Sequence, residues 1–85
     1  MKKKSLQRNV LSYTVVFEPD EAGGYCVYVP AIPGCFTQGE TFEEAQKNAK
    51  EVIALCLEVM RDQREDIPVE SGEAIVSRIS TPFPA

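Results

Sequence analysis

The stretch Gly24-Tyr-Cys-Val-Tyr-Val-Pro-Ala-Ile-Pro-Gly-Cys-Phe-Thr-Gln-Gly39, running on through Glu40 into Thr41-Phe-Glu-Glu-Ala-Gln-Lys-Asn-Ala-Lys-Glu-Val-Ile53, decides the fold. Its first half reads as strand, turn and strand, and its second half opens a helix. Pro30 and Pro33 remove backbone donors and fix φ, so one strand ends at Val29, and Gly34 frees the chain to begin the next. Tyr25, Val27 and Val29 alternate with Cys26 and Tyr28. Both faces of this strand are therefore apolar, which suits a central strand covered on each side or one face kept for a partner.

Working outward, Val10 to Glu18 alternates as a strand, with Tyr13, Val15 and Phe17 on one face and Thr14, Val16 and Glu18 on the other. Pro19 to Gly24 is a turn, so the first two strands form an antiparallel hairpin. Cys35 to Gln38 gives a short third strand. Thr41 followed by Glu44 is a capping box: the hydroxyl accepts from a first-turn amide, the carboxylate reaches back, and Glu43 with Glu44 suits the helix dipole.

The helix is expected from Phe42 to about Arg64. Phe42, Ala45, Ala49, Val52, Cys56 and Val59 form its apolar stripe, widened by Ile53, Leu57 and Met60, while Glu43, Lys47, Lys50, Glu51, Glu58 and Asp62 stay wet. Small Ala45 and Ala49 allow close approach to a sheet, and Leu55, Leu57 and Met60 give more apolar girth than three strands need. Ile67-Pro68 ends this excursion, Ser71-Gly72 turns the chain, and Glu73 to Ile79 reads as a last short strand. The expected organisation is a polar basic arm at 1–9, a folded domain at 10–80 and a tail at 81–85.

A chain of 85 residues with 44% hydrophobic content builds one domain with a thin core. Self-association follows as an expectation, because pairing covers apolar surface that one protomer cannot. No run reaches the eighteen or so apolar residues needed to cross a bilayer, and Lys2-Lys3-Lys4 is not followed by a signal-peptide core, so a cytoplasmic, soluble protein with no membrane partner is expected.

Cys26, Cys35 and Cys56 form no Cys-x-x-Cys pair and are expected as buried thiols rather than a disulfide framework. The chain has no histidine, which removes Cys-His dyads, Ser-His-Asp triads and histidine-containing zinc sites together. No catalytic residue, cofactor or metal is expected. Lys2, Lys3, Lys4 and Arg8 make the start basic, while the rest of the chain holds 5 basic residues against 13 acidic ones, a balance of 5 − 13 = −8. An acidic body repels phosphates and favours encounter with a basic partner. Direct nucleic-acid binding through the arm is the weaker reading.

Tyr28 and the Asp20-Glu21 turn are the candidate partner-binding residues, since an exposed aromatic beside acidic groups both buries area and meets Arg or Lys. Gly24, Pro30, Pro33, Gly34 and Gly39 shape backbone, and Thr41 caps a helix.

Taken together, Gly24-Tyr25, the Val-Pro-x-Ile-Pro-Gly-Cys segment ending at Cys35, Gln38-Gly39-x-Thr41, Glu43-Glu44-Ala45 with Asn48-Ala49, and Ile67-Pro68 resemble the HicB-like antitoxin domain family over about Tyr13 to Pro68. The resemblance implies a prokaryotic α+β domain, β-β-β-α-β, similar to a truncated RNase H fold and often dimeric or tetrameric. It implies a toxin–antitoxin role in which the domain binds a small basic HicA-type toxin and blocks its mRNA-cleaving site. Pro82 and Pro84 leave no room for the family's usual C-terminal DNA-binding segment, so a single-domain member is expected.

Two alternatives stand beside this reading. One is a stand-alone oligomeric domain with no toxin partner. The other is a metal-dependent RNase H-like nuclease, which requires Glu18 to meet Glu43 or another helix acid across the sheet.

Overall fold

The computed structural model describes residues 10–84. The arm readings on Lys2, Lys3, Lys4 and Arg8 lie outside the described residues. Three strands, β1 (Val16–Pro19), β2 (Tyr25–Tyr28) and β3 (Phe36–Gly39), are followed by one helix, α1 (Phe42–Asp62). The sheet is antiparallel in the order β1-β2-β3, with Phe17 opposite Val27, and Val27 opposite Thr37. This is the α+β arrangement expected from the sequence, with shorter strands: β1 begins at Val16, not Val10, and β3 begins at Phe36, one residue after Cys35.

The helix starts where the capping chemistry places it. Thr41 has extended backbone (φ −127°, ψ 165°), and its hydroxyl accepts from the Glu44 amide at 3.0 Å. The Glu44 carboxylate reaches one residue beyond the usual capping-box partner and accepts from the Glu40 amide. Asn48 adds a tie, donating from Nδ2 to the Gln38 carbonyl of β3 at 2.8 Å. At the far end Arg64 takes φ +60°, Glu65 N donates to Met60 O at 2.9 Å and Arg64 N to Arg61 O at 3.0 Å. Those two bonds close a Schellman turn, so the helix stops at Asp62, two residues short of the expected Arg64.

Six of the described residues are buried: Val27, Val29, Ile32, Cys35, Ala45 and Ala49. They fall in two clusters. Val27 meets Ala45 and Ala49, flanked by Val15, Phe17 and Tyr25. Val29, Ile32 and Cys35 pack under the second half of α1 against Val52, Ile53, Cys56, Leu57 and Met60. The proline loop makes the second cluster possible. Val29 N donates to Cys35 O, Ile32 N to Val29 O and Cys35 N to Ile32 O, at 3.0 to 3.1 Å, so every donor the loop needs comes from 29, 32 and 35. Pro30 and Pro33 stand where no donor is required. Three-residue spacing thus turns three apolar side chains inward together.

Phe42 lies at the helix start with its ring 4.9 Å from Phe17 and 6.0 Å from Tyr25, in tilted and edge-on contacts. Val59, expected in the buried stripe, remains 45% exposed, because the sheet is too short to reach the last turns of α1.

Beyond the helix the chain returns along β1. Tyr13 OH donates to Pro68 O, and Thr14 donates to both Glu70 carboxylate oxygens, from its amide at 2.8 Å to Oε1 and from its hydroxyl to Oε2. The expected strand at Glu73 to Ile79 is not formed: these residues pair with no strand, and Ile75, Val76 and Ile79 are 91%, 77% and 84% exposed. Alternation gives a segment strand preference, but a strand also needs an edge to pair with. The chain turns at Gly72 (φ +76°) and none of the residues from Ser71 to Pro84 is buried.

Gly39 is one of two glycines, with Gly24, that leave no room for a side chain. A Cβ on Gly39 would lie 2.5 Å from Ala45 N and 2.6 Å from Ala45 Cα, backbone atoms that cannot move aside without lifting the helix. Gly34, by contrast, has open space around it and needs only its φ of +80°. Gly39→Ala should therefore cost about 3 kcal/mol or more, and Gly34→Ala about 1 to 2 kcal/mol. Thermal unfolding of the two variants checks the order; equal losses would contradict the close-approach account.

The Glu70 clasp gives a pH signature. Hydrogen bonds from the Thr14 hydroxyl and then its amide hold the Glu70 carboxyl below its usual 4.5. A depressed carboxylate contributes stability above its unfolded value, which fades as pH falls through the folded one. Wild type should exceed Glu70→Gln in stability at neutral pH, and the gap should close on acidification below about 4.5. Melting temperatures of both proteins between pH 7 and pH 3 measure it.

Candidate functional site

Among the described residues, the helix covers one face of the sheet and leaves the other bare. Phe17 and Val27 point to α1, so alternation sends Val16, Tyr28 and Phe36 to the opposite side, where the pairing register sets them in one cross-strand row. Tyr28 is 40% exposed and Phe36 is 68% exposed, unusual for two aromatic side chains on adjacent strands. The next row along this face is Glu18, Cys26 and Gln38, all exposed. The bare face is thus half apolar and half polar, with one carboxylate at its edge.

Asp20 and Glu21 lie in the β1–β2 turn, closed by Asp20 N to Gly24 O and Gly23 N to Asp20 O, both at 2.9 Å. Asp20 lies four residue steps beyond Val16, the partner of Tyr28, so Tyr28 stands roughly 13 Å along the strand from the acidic turn. The structure therefore does not bring the sequence-based trio into one patch. Asp20 instead borders a polar recess at the sheet end, shared with Glu40, Glu44 and Asn48 and floored by Tyr25 and Gly39. Three carboxylates around one recess suit the head of a Lys or Arg side chain.

Sequence reasoning missed Phe36 and Glu40. The signal for Phe36 was its place directly opposite Tyr28 once the hairpin register is drawn, and for Glu40 its adjacency to the helix cap.

The motif residues divide by role. Gly24 and Gly39 allow backbone contact: a Cβ on Gly24 would lie 2.5 Å from Gly39 O. Tyr25 packs on Phe42, Pro30 and Pro33 shape the loop, and Thr41 with Glu44 caps the helix. Cys35 is buried, and that burial, with the neighbouring Cys56 thiol, pushes its own thiol up to about 12. Cys56 is half-buried, but Cys26, expected as a buried thiol, is exposed because it projects from the bare face.

The geometry also bears on the nuclease alternative. Glu18 projects from the bare face while the acids of α1 sit on the helix packed against the other, so the sheet itself separates them. Among the described residues no group of three or more His, Cys, Asp or Glu is placed to hold a metal ion. Among the same residues no helix is long and apolar enough to cross a membrane.

Residues 13–81 match the profile of the HicB_like antitoxin of bacterial toxin-antitoxin system. The chain is similar to a UPF0150 protein of Thermoplasma acidophilum, 48% identical over 65 residues that cover 76% of this chain and 94% of that protein. A UPF0150 protein of Archaeoglobus fulgidus is 42% identical over 65 residues, covering 76% of this chain and 86% of that one. Antitoxin HicB 1 of Photorhabdus laumondii is 41% identical over 59 residues, covering 69% of this chain but 38% of the antitoxin.

If the aromatic row is an interface and not part of the core, removing it should leave the fold intact. Phe36→Ser and Tyr28→Ser should each change unfolding free energy by no more than about 0.5 kcal/mol. Chemical denaturation measures this; a loss of several kcal/mol would make the row structural.

Proposed function

Because the chain belongs to the HicB-like antitoxin family, we propose that it is a non-catalytic interaction domain that binds a small basic HicA-type toxin and blocks its mRNA-cleaving site. An antitoxin family agrees with a role without catalysis. The observation that carries the reading is the bare Val16–Tyr28–Phe36 row on the sheet face opposite the helix. Aromatic side chains in a desolvated centre supply most of the free energy in typical protein interfaces.

The acidic body supplies the second part. Asp20, Glu40 and Glu44 border a recess away from the aromatic row, and acidic groups at a rim raise the encounter rate with a basic partner more than they raise final affinity. Burial belongs to Tyr28 and Phe36, steering to Asp20 and Glu21. The domain works in the cytoplasm as a homo-oligomer, dimer or tetramer. The order of three antiparallel strands and a helix supports the truncated RNase H-like reading of its fold, and among the described residues no acids cluster as a metal-dependent nuclease requires.

The test uses the full-length protein and a purified HicA-type toxin. Wild type should suppress RNA cleavage by the toxin. Tyr28→Ala combined with Phe36→Ala should weaken binding by about 30-fold or more, the effect of losing one strong hot spot, and release the nuclease. Asp20→Lys with Glu21→Lys should slow association at low salt with a smaller change in dissociation rate. A double aromatic variant that binds and inhibits as wild type would overturn the assignment of this face.

A further inference from the structure

Two features of the chain remain unused by the sheet face. One is an apolar groove along the second half of α1, about 690 Å³ in volume, formed by Leu11, Ala54, Leu55, Leu57 and Ile67. Leu55 is 57% exposed and Leu11 is 40% exposed. The other is the segment after Gly72, where Ile75, Val76, Ile79 and Phe83 all stand in water, Phe83 at 94% exposure.

We propose that residues 73–83 form an exchange arm that docks in the α1 groove of a second copy of this chain, each protomer giving its arm and receiving its partner's. The proposal rests on the self-association reading and adds the surfaces that carry it.

Four observations support the match. First, the arm is held at its root: Pro68 and Glu70 are bonded to Tyr13 and Thr14 beside β1, and the chain then turns at Gly72, φ +76°. The arm therefore leaves the body from a fixed point. Second, the groove opens next to that point, because Ile67 is one of its walls. A reciprocal exchange about a two-fold axis needs each root to lie close to the receiving groove.

Third, the charges are compatible. Glu51 and Glu58 flank the groove with Arg61, and the arm carries Arg78 among its apolar residues and Glu73 at its start, so each surface offers both signs to the other. Fourth, the area is of the right order. Four large apolar side chains per arm, at roughly 60 to 120 Å² each, remove on the order of 500 to 1,000 Å² from water over the two arms. With the groove walls added, this approaches the lower end of a standard stable interface, about 1,200 Å². The strand pattern read in Glu73 to Ile79 is then a preference realised on a partner.

The full-length chain and three variants test this by light scattering after gel filtration, with circular dichroism to confirm the helix. Wild type should have at least twice the monomer mass. Ile75→Glu with Ile79→Glu, in the arm, should at least halve that mass with helix content unchanged. Leu55→Glu, in the groove, should do the same.

Mixing the arm variant with the groove variant should restore association, because the intact arm of one meets the intact groove of the other. An arm variant that keeps the wild-type mass, or a mixture that restores nothing, would overturn the exchange while leaving self-association by another surface in place. A monomeric wild type at 100 μM would overturn both. Toxin inhibition is read separately on the same samples, so its failure would not be mistaken for failure of the arm; the monomeric arm variant should still bind toxin.

Discussion

The contact between Gly39 and the Ala45 backbone sets the geometry on which the remaining structure depends. With no side chain on Gly39, the first turn of α1 lies directly on the end of β3, and Gly24 lets β2 close against Gly39 from the other side. A helix seated this low buries Ala45 and Ala49 against Val27 with almost no volume to fill, which is how so small a chain makes a dry core from six residues. The same seating commits the helix to one face. Everything opposite it is left for something other than the chain's own core.

Much of this was legible because it depends on local chemistry. A capping threonine, a glutamate three residues on, and alanines four apart specify where the helix begins and how closely it packs. Two prolines and a glycine specify the corner. Cys35 was expected as a buried thiol, but the depth of Ile32 was not legible, because the loop that carries both has neither helical nor strand period. Only its three hydrogen bonds, spaced every third residue, reveal that it turns those side chains under α1. Tyr28 and Asp20 were joined by nearness of type, an aromatic near acids. The register then placed them at opposite ends of the hairpin, which no composition argument supplies.

The last strand fails for a related reason. Ile75, Val76 and Ile79 satisfy the local demands of a strand, yet the clasp of Thr14 on Glu70 and the turn at Gly72 direct the segment away from β1. Local preference and chain path are independent quantities. When they disagree in a small domain, the apolar side chains end in water unless a second molecule removes them, and four large ones in eleven residues are costly to leave there.

Two partner surfaces on one small domain raise the question of whether they compete. The Val16–Tyr28–Phe36 row projects from the sheet on the side away from α1, whereas the groove runs along α1 between Leu11 and Ile67 on the helix side. The sheet itself lies between them. An arm seated on the helix therefore leaves the aromatic row free, and an occupied row leaves the groove free. Association through the arms would present two such rows in one particle without covering either. The thin core would then be the cause of both proposed surfaces: a domain with one covered sheet face and a helix of 21 residues that outruns its short strands has more apolar surface than it can enclose.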